Sequence, residues 1–325
     1  MARRSRRSSS RPPRLRGKAL IVVVLVLAFG WAAIEAHEAG WIDLGGVYEV
    51  LTGEAPPPRA DPPAASADGG EALRLVTWNV ANFGRSKDDA EMAVIADLLA
   101  PAADVVAIQE VSTTSPGTDA VVRLSDALNA RQGAWDWTVS NPTTGEGGSE
   151  RYAFLWRTDR VRVEGACALV RALEDALDRE PFVCGFVRLG AERTEPVRVA
   201  SFHAVPSSKD PARENALLHR LHDLDPEADL VVVGDFNLPA DRPAFDGLRE
   251  RGFREALVDQ KTTLKTVRTP AGEHLANAYD NVFYEPAELT ALRAEVLDFS
   301  DRFSSLREAR AISDHLPVRV TFAWP

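Results

Sequence analysis

Residues 230–237 read LVVVGDFN, and this stretch determines the predicted class of fold. Its first four residues form a continuous apolar run, which is typical of a strand buried on both faces of a layered α/β protein. Asp235 and Asn237 follow the run with one residue between them. A buried strand that ends in an acid and an amide predicts a functional site at the edge of a covered sheet.

The regions on either side of this stretch alternate between short apolar runs and helical periodicity. Strands are predicted over residues 73–80, 105–109, 135–139, 152–156, 161–164, 182–189, 197–203, 282–284, 294–297 and 318–322. Helices are predicted over 88–99, with Ser86 as its N-cap, and over 119–130 and 211–224. Helices around buried strands indicate α/β layers. The adjacent runs 152–156 and 161–164 predict an antiparallel hairpin, and hence mixed sheets.

Polar side chains stand beside five other predicted strands. They are Asn79, Glu110, His203, Asp280 and the neighbouring pair Asp314 and His315. One such residue would more often be a turn or cap residue. Together with residues 235–237, six such positions from across the chain predict one common site.

The residue types at these positions indicate a reaction. Carboxylate and amide oxygens are the ligands preferred by Mg²⁺, with Mn²⁺ or Ca²⁺ as alternatives. Two histidines among acids suit general acid–base catalysis. No serine or cysteine stands in a recognisable nucleophile motif. These features together predict metal-assisted attack of water on a phosphate ester.

Eight motifs in order make the sequence resemble the endonuclease/exonuclease/phosphatase superfamily, and within it the deoxyribonuclease I branch. They are LVTWNVANFG (75–84), VVAIQEV (105–111), ERYAFLWR (150–157), REP (179–181), SFHAVPS (201–207), VVVGDFN (231–237), AYDNV (278–282) and AISDHLPV (311–318). The resemblance covers residues 73–323. It implies an α/β fold, a four-layer sandwich of two packed mixed β-sheets with helices on the outside.

The resemblance also implies a role for each motif residue. Glu110 is expected to be the principal metal ligand, with Asn79, Asp314 and Asp235 close by. The residues expected to contact the scissile phosphate are Arg179, Asn237, Asn79 and Tyr279. Asp235 and Asn237 are expected to meet that phosphate or a second metal.

The expected catalytic residues are His203, His315, Asp235, Asp280, Glu150 and Asn237. The family pattern has Glu150 orient His203 and Asp280 orient His315, which holds each imidazole in one tautomer and raises its pKa. Asp235 and the His315–Asp280 pair both remain candidates for the group that activates water.

Two positions depart from the deoxyribonuclease I pattern. Ser112 stands where that branch has an arginine that enters the DNA minor groove, and Gly148 stands where it has a tyrosine. The loop 141–149 contains no aromatic residue. These departures predict low affinity for duplex DNA, and they leave a smaller substrate open.

The N-terminus carries a separate pattern. Residues 1–18 contain eight basic and no acidic side chains, so the formal charge of −10 becomes −18 for the rest of the chain. The apolar stretch 19–34, within a region 19–35, predicts a membrane-inserting signal anchor or a signal peptide. Residues 36–70 are interpreted as a juxtamembrane segment and a Pro/Ala-rich linker, and residues 71–325 as the catalytic domain. Export would allow Cys167 and Cys184 to pair, although two separate buried thiols fit the sequence equally well.

Three functions are consistent with the sequence. The first is an exported, metal-dependent endonuclease of low sequence specificity that acts on DNA. The second is a phosphodiesterase or phosphatase for a phospholipid or another small phosphate ester. The third is a catalytically inactive binding module, against which the complete set of motif residues weighs. The N-terminal segment predicts a membrane as a partner, and no protein partner is predicted.

Overall fold

Twelve strands form two sheets within residues 72–84, 86–145, 148–191 and 195–324, which are the residues that the computed structural model describes. The strands are β1 (Ala72–Phe83), β2 (Val105–Val111), β3 (Trp135–Val139), β4 (Arg151–Arg157), β5 (Val161–Leu169), β6 (Phe182–Arg188), β7 (Val197–His203), β8 (Leu230–Asp235), β9 (Arg254–Glu255), β10 (Asp280–Tyr284), β11 (Thr290–Val296) and β12 (Val318–Ala323).

Each sheet has six strands and mixes the two directions of pairing. The first sheet has the order β11-β12-β1-β2-β4-β3, and the second has the order β5-β6-β7-β8-β10-β9. The pairs β1–β2 and β7–β8 are parallel, and the other neighbours are antiparallel. The predicted mixed sheets are therefore confirmed.

Helices cover the outer faces of both sheets. Within the described ranges they are α1 (Asp89–Leu99), α2 (Ser115–Asn129), α3 (Pro211–Asn215), α4 (His219–Leu224), α5 (Asp246–Arg249) and α6 (Leu306–Ile312). A central apolar cluster that includes Leu75, Phe154, Phe186 and Val233 lies between the sheets. A second apolar cluster lies between the first sheet and its helices, and a third lies between the second sheet and its helices. These layers confirm the predicted four-layer sandwich.

All three predicted helices differ from the structure at their boundaries, and the helix predicted over 119–130 is α2, which begins four residues earlier at Ser115. Asp88 caps α1 instead of Ser86, because its carboxylate accepts from the Glu91 N–H while the Glu91 side chain accepts from the Asp88 N–H. The predicted helix 211–224 is two short helices, α3 and α4. The buried Asn215 at the end of α3 donates its side-chain amide to the Phe236 carbonyl at 2.9 Å, which ties this point to the segment after β8.

The predicted hairpin of residues 152–156 and 161–164 is wrong. β4 pairs with β2 and β3 in the first sheet, whereas β5 pairs with β6 in the second. Both strands bury side chains in the cluster between the sheets, among them Tyr152, Phe154 and Val161. The short connection therefore carries the chain from one sheet to the other instead of reversing it within one sheet.

Cys167 on β5 and Cys184 on β6 form a disulfide, with their Cα atoms 4.4 Å apart. The structure thereby selects one of the two states that the sequence allowed. The bond closes a sequence separation of 17 residues at the edge of the second sheet.

The double substitution C167S/C184S is expected to lower the free energy of unfolding by about 3 kcal/mol, because a closed loop of this length restricts the unfolded chain by about that amount. Urea unfolding of both proteins, each with and without a reductant, measures the difference. The reductant should destabilise the wild type and leave the variant unchanged. Equal stability of wild type and variant under oxidising conditions would contradict the expectation.

The predictions for residues 1–70, namely the basic region, the signal anchor or peptide and the linker, lie outside the described residues. Among the helices that the structure does describe, none has the length and apolar content needed to cross a membrane.

Candidate active site

The register of the second sheet places three of the predicted site residues in a row. On the parallel strands β7 and β8, His203 lies opposite Asp235. On the antiparallel pair β8 and β10, Asp235 lies opposite Asp280. In the first sheet, Asn79 on β1 lies opposite the residue that precedes Glu110 on β2. Each sheet therefore brings its polar residues to one edge.

Local backbone irregularities direct these side chains. Glu110 and Asn237 have positive φ angles of 61° and 49°, which non-glycine residues adopt rarely and which recur at functional sites. Gly234 has φ of 143°, and a Cβ there would lie 1.8 Å from the Phe202 carbonyl oxygen. Only glycine permits this approach of β8 to β7 immediately before Asp235.

His203 is held by a carboxylate from the other sheet. Its Nδ1 lies 3.0 and 2.9 Å from the two oxygens of Glu150, which directly precedes β4. The backbone N–H of His203 donates to the Tyr152 hydroxyl at 3.2 Å. The Arg179 Nε lies 3.5 Å from the Glu150 carboxylate. The predicted pair of Glu150 and His203 is thus in contact. Because Nδ1 of His203 faces Glu150, its Nε2 is directed away from that carboxylate.

His315 has the same arrangement with a second carboxylate. Its Nδ1 lies 2.8 and 3.1 Å from the two oxygens of Asp280. The Thr262 hydroxyl donates to Asp280 Oδ2 at 2.6 Å, and this additional hydrogen bond fixes the carboxylate. Both histidines therefore use Nδ1 for a buried acid and keep Nε2 for another contact.

The two imidazoles converge on one oxygen of Asp235. Asp235 Oδ2 lies 3.4 Å from His203 Nε2 and 3.6 Å from His315 Nε2. The Asn79 side-chain amide, from the first sheet, donates to the same oxygen at 3.1 Å. Four of the side chains predicted to form one site, Asn79, His203, Asp235 and His315, therefore lie in contact around one oxygen.

Buried acids raise the pKa of both histidines. Burial lowers the pKa of His203, but the Glu150 carboxylate and then Asp235 outweigh it, so that the pKa is raised. Burial likewise opposes the proton on His315, yet Asp280 and Asp235 raise its pKa to about 10. Burial and the nearby Asp235 raise the pKa of Asp280 as well. Both shifts in the His315–Asp280 pair favour retention of a proton at neutral pH.

Glu110 and Asn79 provide the best fit for a hard cation. Burial raises the pKa of Glu110, but His203, the Asn82 N–H and the Asn79 amide together lower it, so this carboxylate is ionised. The Asn79 Nδ2 donates to Glu110 Oε1 at 2.9 Å. Because that nitrogen must face the carboxylates, its Oδ1 faces elsewhere, and it is buried without a hydrogen-bond partner. A buried amide oxygen without a hydrogen-bond partner and an ionised carboxylate are both ligand types that suit Mg²⁺, Mn²⁺ or Ca²⁺.

A different group of acids and imidazole also has ligand-like spacing. Among the described residues, Asp235, Asp280 and His315 offer atoms that all lie within 4.8 Å of one another. This group omits Glu110 and Asp314, which the family pattern names as ligands. His315 Nδ1 is already occupied by Asp280, so the group is better explained as a proton-sharing cluster than as a complete cation site.

The remaining predicted residues lie around this centre. Two hydrogen bonds position Asn237. Its backbone N–H donates to Asp235 Oδ1 at 2.9 Å, and its side-chain amide donates to the Ala204 carbonyl at 3.1 Å. Arg179 Nε donates to the Gly148 carbonyl at 3.1 Å. The roles of both in phosphate binding stay predictions.

Asp314 and Tyr279 have weaker links to the centre. The Asp314 carboxylate accepts from Arg310 at 3.1 Å, and its side chain is 40% exposed, whereas Asn79 and Asp235 are buried. The Tyr279 backbone carbonyl accepts from the Phe236 N–H at 2.8 Å, and the residue is half-buried. Its proposed contact with phosphate also stays a prediction.

A recess of about 530 Å³ opens beside His203. Small side chains line much of it, including Ser112, Thr113 and Ser149, together with Gly148. Gly148 has φ of 116°, which L side chains rarely adopt, so a tyrosine placed there would be strained. The space that the missing arginine and tyrosine would fill is therefore open.

The sequence reasoning missed two residues that support the site. Thr262 lies 18 positions before Asp280 in a loop, and no local pattern indicated its contact with that acid. Ser313 donates its hydroxyl to the Asn79 carbonyl at 2.7 Å and accepts from the His315 N–H at 3.0 Å. Ser313 lies inside the motif AISDHLPV, so the motif itself contained a signal for it.

Gln109 provides a further support between the sheets. It is fully buried, and its amide donates to Thr77 Oγ1 at 3.1 Å within the first sheet and to Ser201 Oγ at 2.8 Å in the second. This places a polar crosslink one residue before Glu110 and two residues before His203.

A comparison of the sequence with models of protein families agrees with the fold, the motifs and the geometry of the site. The sequence model described as "Endonuclease/Exonuclease/phosphatase family" matches residues 76–315. The chain therefore belongs to the endonuclease/exonuclease/phosphatase family, and the resemblance seen in the sequence is confirmed.

Several relatives carry deoxyribonuclease names. "Deoxyribonuclease" of Thioalkalivibrio sp. (strain K90mix) is 32% identical over 283 residues, which cover 80% of this chain and 73% of that protein. "Deoxyribonuclease-1" of Canis lupus familiaris is 30% identical over 282 residues, covering 79% and 94% of the two chains. The chain is thus a hydrolase that is similar in sequence to proteins named deoxyribonuclease.

Solved structures share the fold at lower identity. A family protein from Bacteroides thetaiotaomicron has a TM-score of 0.58 at 16% identity, covering 78% of this chain and 98% of its own. The mannosyl-6-phosphatase Bt3783 from Bacteroides thetaiotaomicron VPI-5482 has a TM-score of 0.56 at 19% identity, covering 78% and 100%. At this identity the likeness shows the fold alone.

Proposed function

We propose that this protein hydrolyses phosphodiesters in DNA as an endonuclease of low sequence specificity, with Mg²⁺ as its cofactor and Mn²⁺ or Ca²⁺ as alternatives. The observation that supports this most directly is the convergence of His203 Nε2 and His315 Nε2 on Asp235 Oδ2, with each imidazole backed by its own acid. The relatives named deoxyribonuclease support DNA as the substrate.

The site residues have the charge states that this reaction needs. With a pKa of about 10, His315 carries its proton at neutral pH and can donate it from Nε2 to the leaving oxygen. His203, whose pKa is also raised, can neutralise charge that develops on the phosphoryl oxygens. We assign the acceptance of the proton from the attacking water to Asp235, because its Oδ2 lies between the Nε2 atoms of His203 and His315 and the pKa of both imidazoles is raised.

Glu110 and Asn79 are the residues proposed to hold the cation, with Asp314 and Asp235 nearby. The chemistry that a divalent cation would supply there is polarisation of a phosphoryl oxygen and stabilisation of negative charge in the transition state. The ionised Glu110 supplies the anionic ligand, and the unpartnered Asn79 Oδ1 supplies a neutral one.

Glu110→Gln is expected to weaken cation binding by about 10- to 100-fold, which is the range that even supporting residues around a metal contribute. The substitution removes the charge and preserves the shape of the side chain. Titration calorimetry with Mg²⁺ and Mn²⁺ gives the affinity without relying on turnover. Glu227→Gln, at an exposed acid outside the site, is the matched control and should bind as the wild type does. Unchanged affinity in Glu110→Gln would remove this residue from the cation site.

A substrate panel tests the proposed function directly. The purified full-length protein is incubated with plasmid, single-stranded DNA, RNA and phospholipids, each with Mg²⁺ or Mn²⁺ and then with a chelator. Cleavage of DNA that the chelator abolishes is the expected result. Turnover of phospholipid without cleavage of DNA would instead support the second candidate.

That second candidate is a phosphodiesterase or phosphatase for a phospholipid or another small phosphate ester. The open recess at Ser112 and Gly148 favours it, because these positions lack the side chains that would read a duplex. Placing a tyrosine at position 148 would strain the backbone there, so Ser112 is the position to test.

Ser112→Arg is expected to lower the KM for duplex DNA by about 8-fold at 0.1 M salt, since one additional neutralised phosphate adds about 0.9 to the salt slope. The kcat should stay nearly constant, because the added contact is the same in ground state and transition state. Steady-state kinetics on duplex DNA measures both, with Ser112→Gln as the uncharged control. If KM does not change, duplex DNA does not pass over this recess.

We also propose that the protein is secreted, or anchored in a membrane with its catalytic domain outside the cytoplasm. The basic and apolar segments of residues 1–34 support this, and the disulfide suits an oxidising compartment. Carbonate extraction of membranes, followed by N-terminal sequencing, distinguishes an anchored chain from a cleaved one. Recovery of the reduced protein from the cytosol would contradict both.

A further inference from the structure

A hairpin projects beside the His315 side of the site. Leu264 and Leu275 form an antiparallel bridge at its base, and the Lys265 N–H donates to the His274 carbonyl at 2.7 Å. Its turn is closed by the Gly272 N–H, which donates to the Thr269 carbonyl at 2.8 Å. We refer to residues 264–275 as the 264–275 hairpin.

The base of this hairpin is joined to the residues of the site by hydrogen bonds. The Leu264 N–H donates to the Asp314 carbonyl at 2.8 Å, and Thr263 forms an antiparallel bridge with His315. The Thr262 hydroxyl donates to Asp280. Residues 262–264 are thus fixed against the His315–Asp280 pair, and the hairpin is held next to the reacting centre.

Two lysines bracket this anchored segment. Lys261 is exposed, and Lys265 is partly exposed. Neither ammonium group has a hydrogen bond or ion pair with any residue in the part of the chain that the structure describes. Two nearby acids are already engaged, since Asp301 pairs with Arg268 at 3.0 Å and Asp298 with His274 at 2.5 Å.

The local charge is opposite to that of the rest of the domain. Residues 261–275 contain three cations and one acid, whereas the chain after Lys18 carries −18. Val267, near the tip, is 72% exposed. An unpaired cationic edge beside a phosphodiesterase site, on an otherwise acidic body, is suited to a polyanionic strand that passes through the catalytic centre.

We propose that Lys261 and the 264–275 hairpin bind the sugar–phosphate backbone of a nucleic-acid strand beside His315. This inference rests on the proposed function, and it specifies how the substrate is held. The interaction uses phosphate charge and no base edge, so it carries no sequence preference. It also replaces the groove contacts that Ser112 and Gly148 do not make.

The test compares K261A/K265A with R220A/R254A in the full-length protein. The control pair removes the same charge from exposed positions, and Arg254 pairs with Tyr284 at the end of β10 remote from Asp280, about 13 Å along the strand. Fluorescence anisotropy with a labelled single-stranded oligonucleotide, in chelator to prevent cleavage, gives the dissociation constant over a series of salt concentrations. Hydrolysis of bis(p-nitrophenyl) phosphate, a small diester, reports on the catalytic centre.

For K261A/K265A the salt slope should become shallower by about 1.4, because each single-strand phosphate that is no longer neutralised reduces the slope by about 0.7. Binding at 0.1 M salt should then be weaker by about 25-fold. Turnover of the small diester should be retained, and R220A/R254A should match the wild type in both measurements.

Two results would overturn the inference. The first is a salt slope of oligonucleotide binding that is the same in K261A/K265A as in a wild type that cleaves DNA. This result would contradict the inference but not the proposed function. The second is loss of binding to anionic phospholipid vesicles while oligonucleotide binding is retained, which assigns the lysines to a membrane surface. Failure of the proposed function gives a different result, because the wild type would then neither bind nor cleave nucleic acid.

Discussion

Replacing either His203 or His315 with alanine is expected to lower kcat for DNA cleavage by about 10²- to 10⁴-fold, the usual contribution of a general acid–base group. Each substitution removes one of the two imidazoles that meet at Asp235 Oδ2. The other imidazole cannot take over, because each Nδ1 is fixed by a different carboxylate. Single-turnover cleavage of a labelled plasmid measures the decrease.

His219→Ala is the matched control for these two variants. His219 lies on α4, and its Nδ1 contacts the Ala216 carbonyl at 2.8 Å, away from the site. Its kcat should equal that of the wild type. Thermal unfolding of all four proteins shows whether the fold is retained. Activity close to wild type in a folded His203 or His315 variant would refute the assigned roles.

Asp280→Asn is expected to lower kcat by a similar factor, about 10²- to 10⁴-fold, although Asp280 touches no substrate atom in the assigned mechanism. The substitution removes the carboxylate that orients His315 and stabilises its proton. The pKa of His315 should therefore fall from about 10 towards its ordinary value of 6.5. Because the reaction uses the protonated imidazole, the alkaline decline of the kcat–pH profile should move to lower pH.

The pH profile separates this positioning role from a merely structural one. Disrupted packing alone would lower kcat at every pH without moving the alkaline limb. Asp223→Asn is the control, since Asp223 lies 3.9 Å from His219 Nε2 outside the site, and its profile should not change. A profile for Asp280→Asn that is lower but has the same midpoint would show that Asp280 does not set the pKa of His315.

Much of the layered fold could be predicted, because burial leaves a direct pattern in the sequence. The apolar run 230–233 is a strand buried on both faces, as its composition indicated. The sheet to which each strand belongs could not be predicted in the same way. β4 and β5 follow one another closely and look like a hairpin, yet they pair in different sheets. Strand pairing depends on contacts between distant residues, which a local pattern does not contain.

The sequence predicted several of the side chains that lie together in the site, but not the hydrogen bonds that hold them there. Motifs indicated which side chains would meet, and the structure brings Asn79, His203, Asp235, Asp280 and His315 together. The support from Thr262 was not predictable, because a threonine in a loop has no distinguishing pattern. Nor did the sequence indicate that the unpaired Lys261 and Lys265 flank the segment bonded to Asp280 and His315.

The candidate active site is assembled from two separate sheets, and every strand pair within the described ranges belongs to one sheet or the other. Asn79 and Glu110 belong to one sheet, and His203 and Asp235 belong to the other. Their alignment depends on the apolar layer between the sheets and on the buried crosslink of Gln109 to Ser201. A small slip of one layer over the other would misalign the reacting groups while leaving each sheet intact. The interior of this protein is therefore part of its catalytic apparatus, and its tolerance of core substitutions is limited by activity before it is limited by folding.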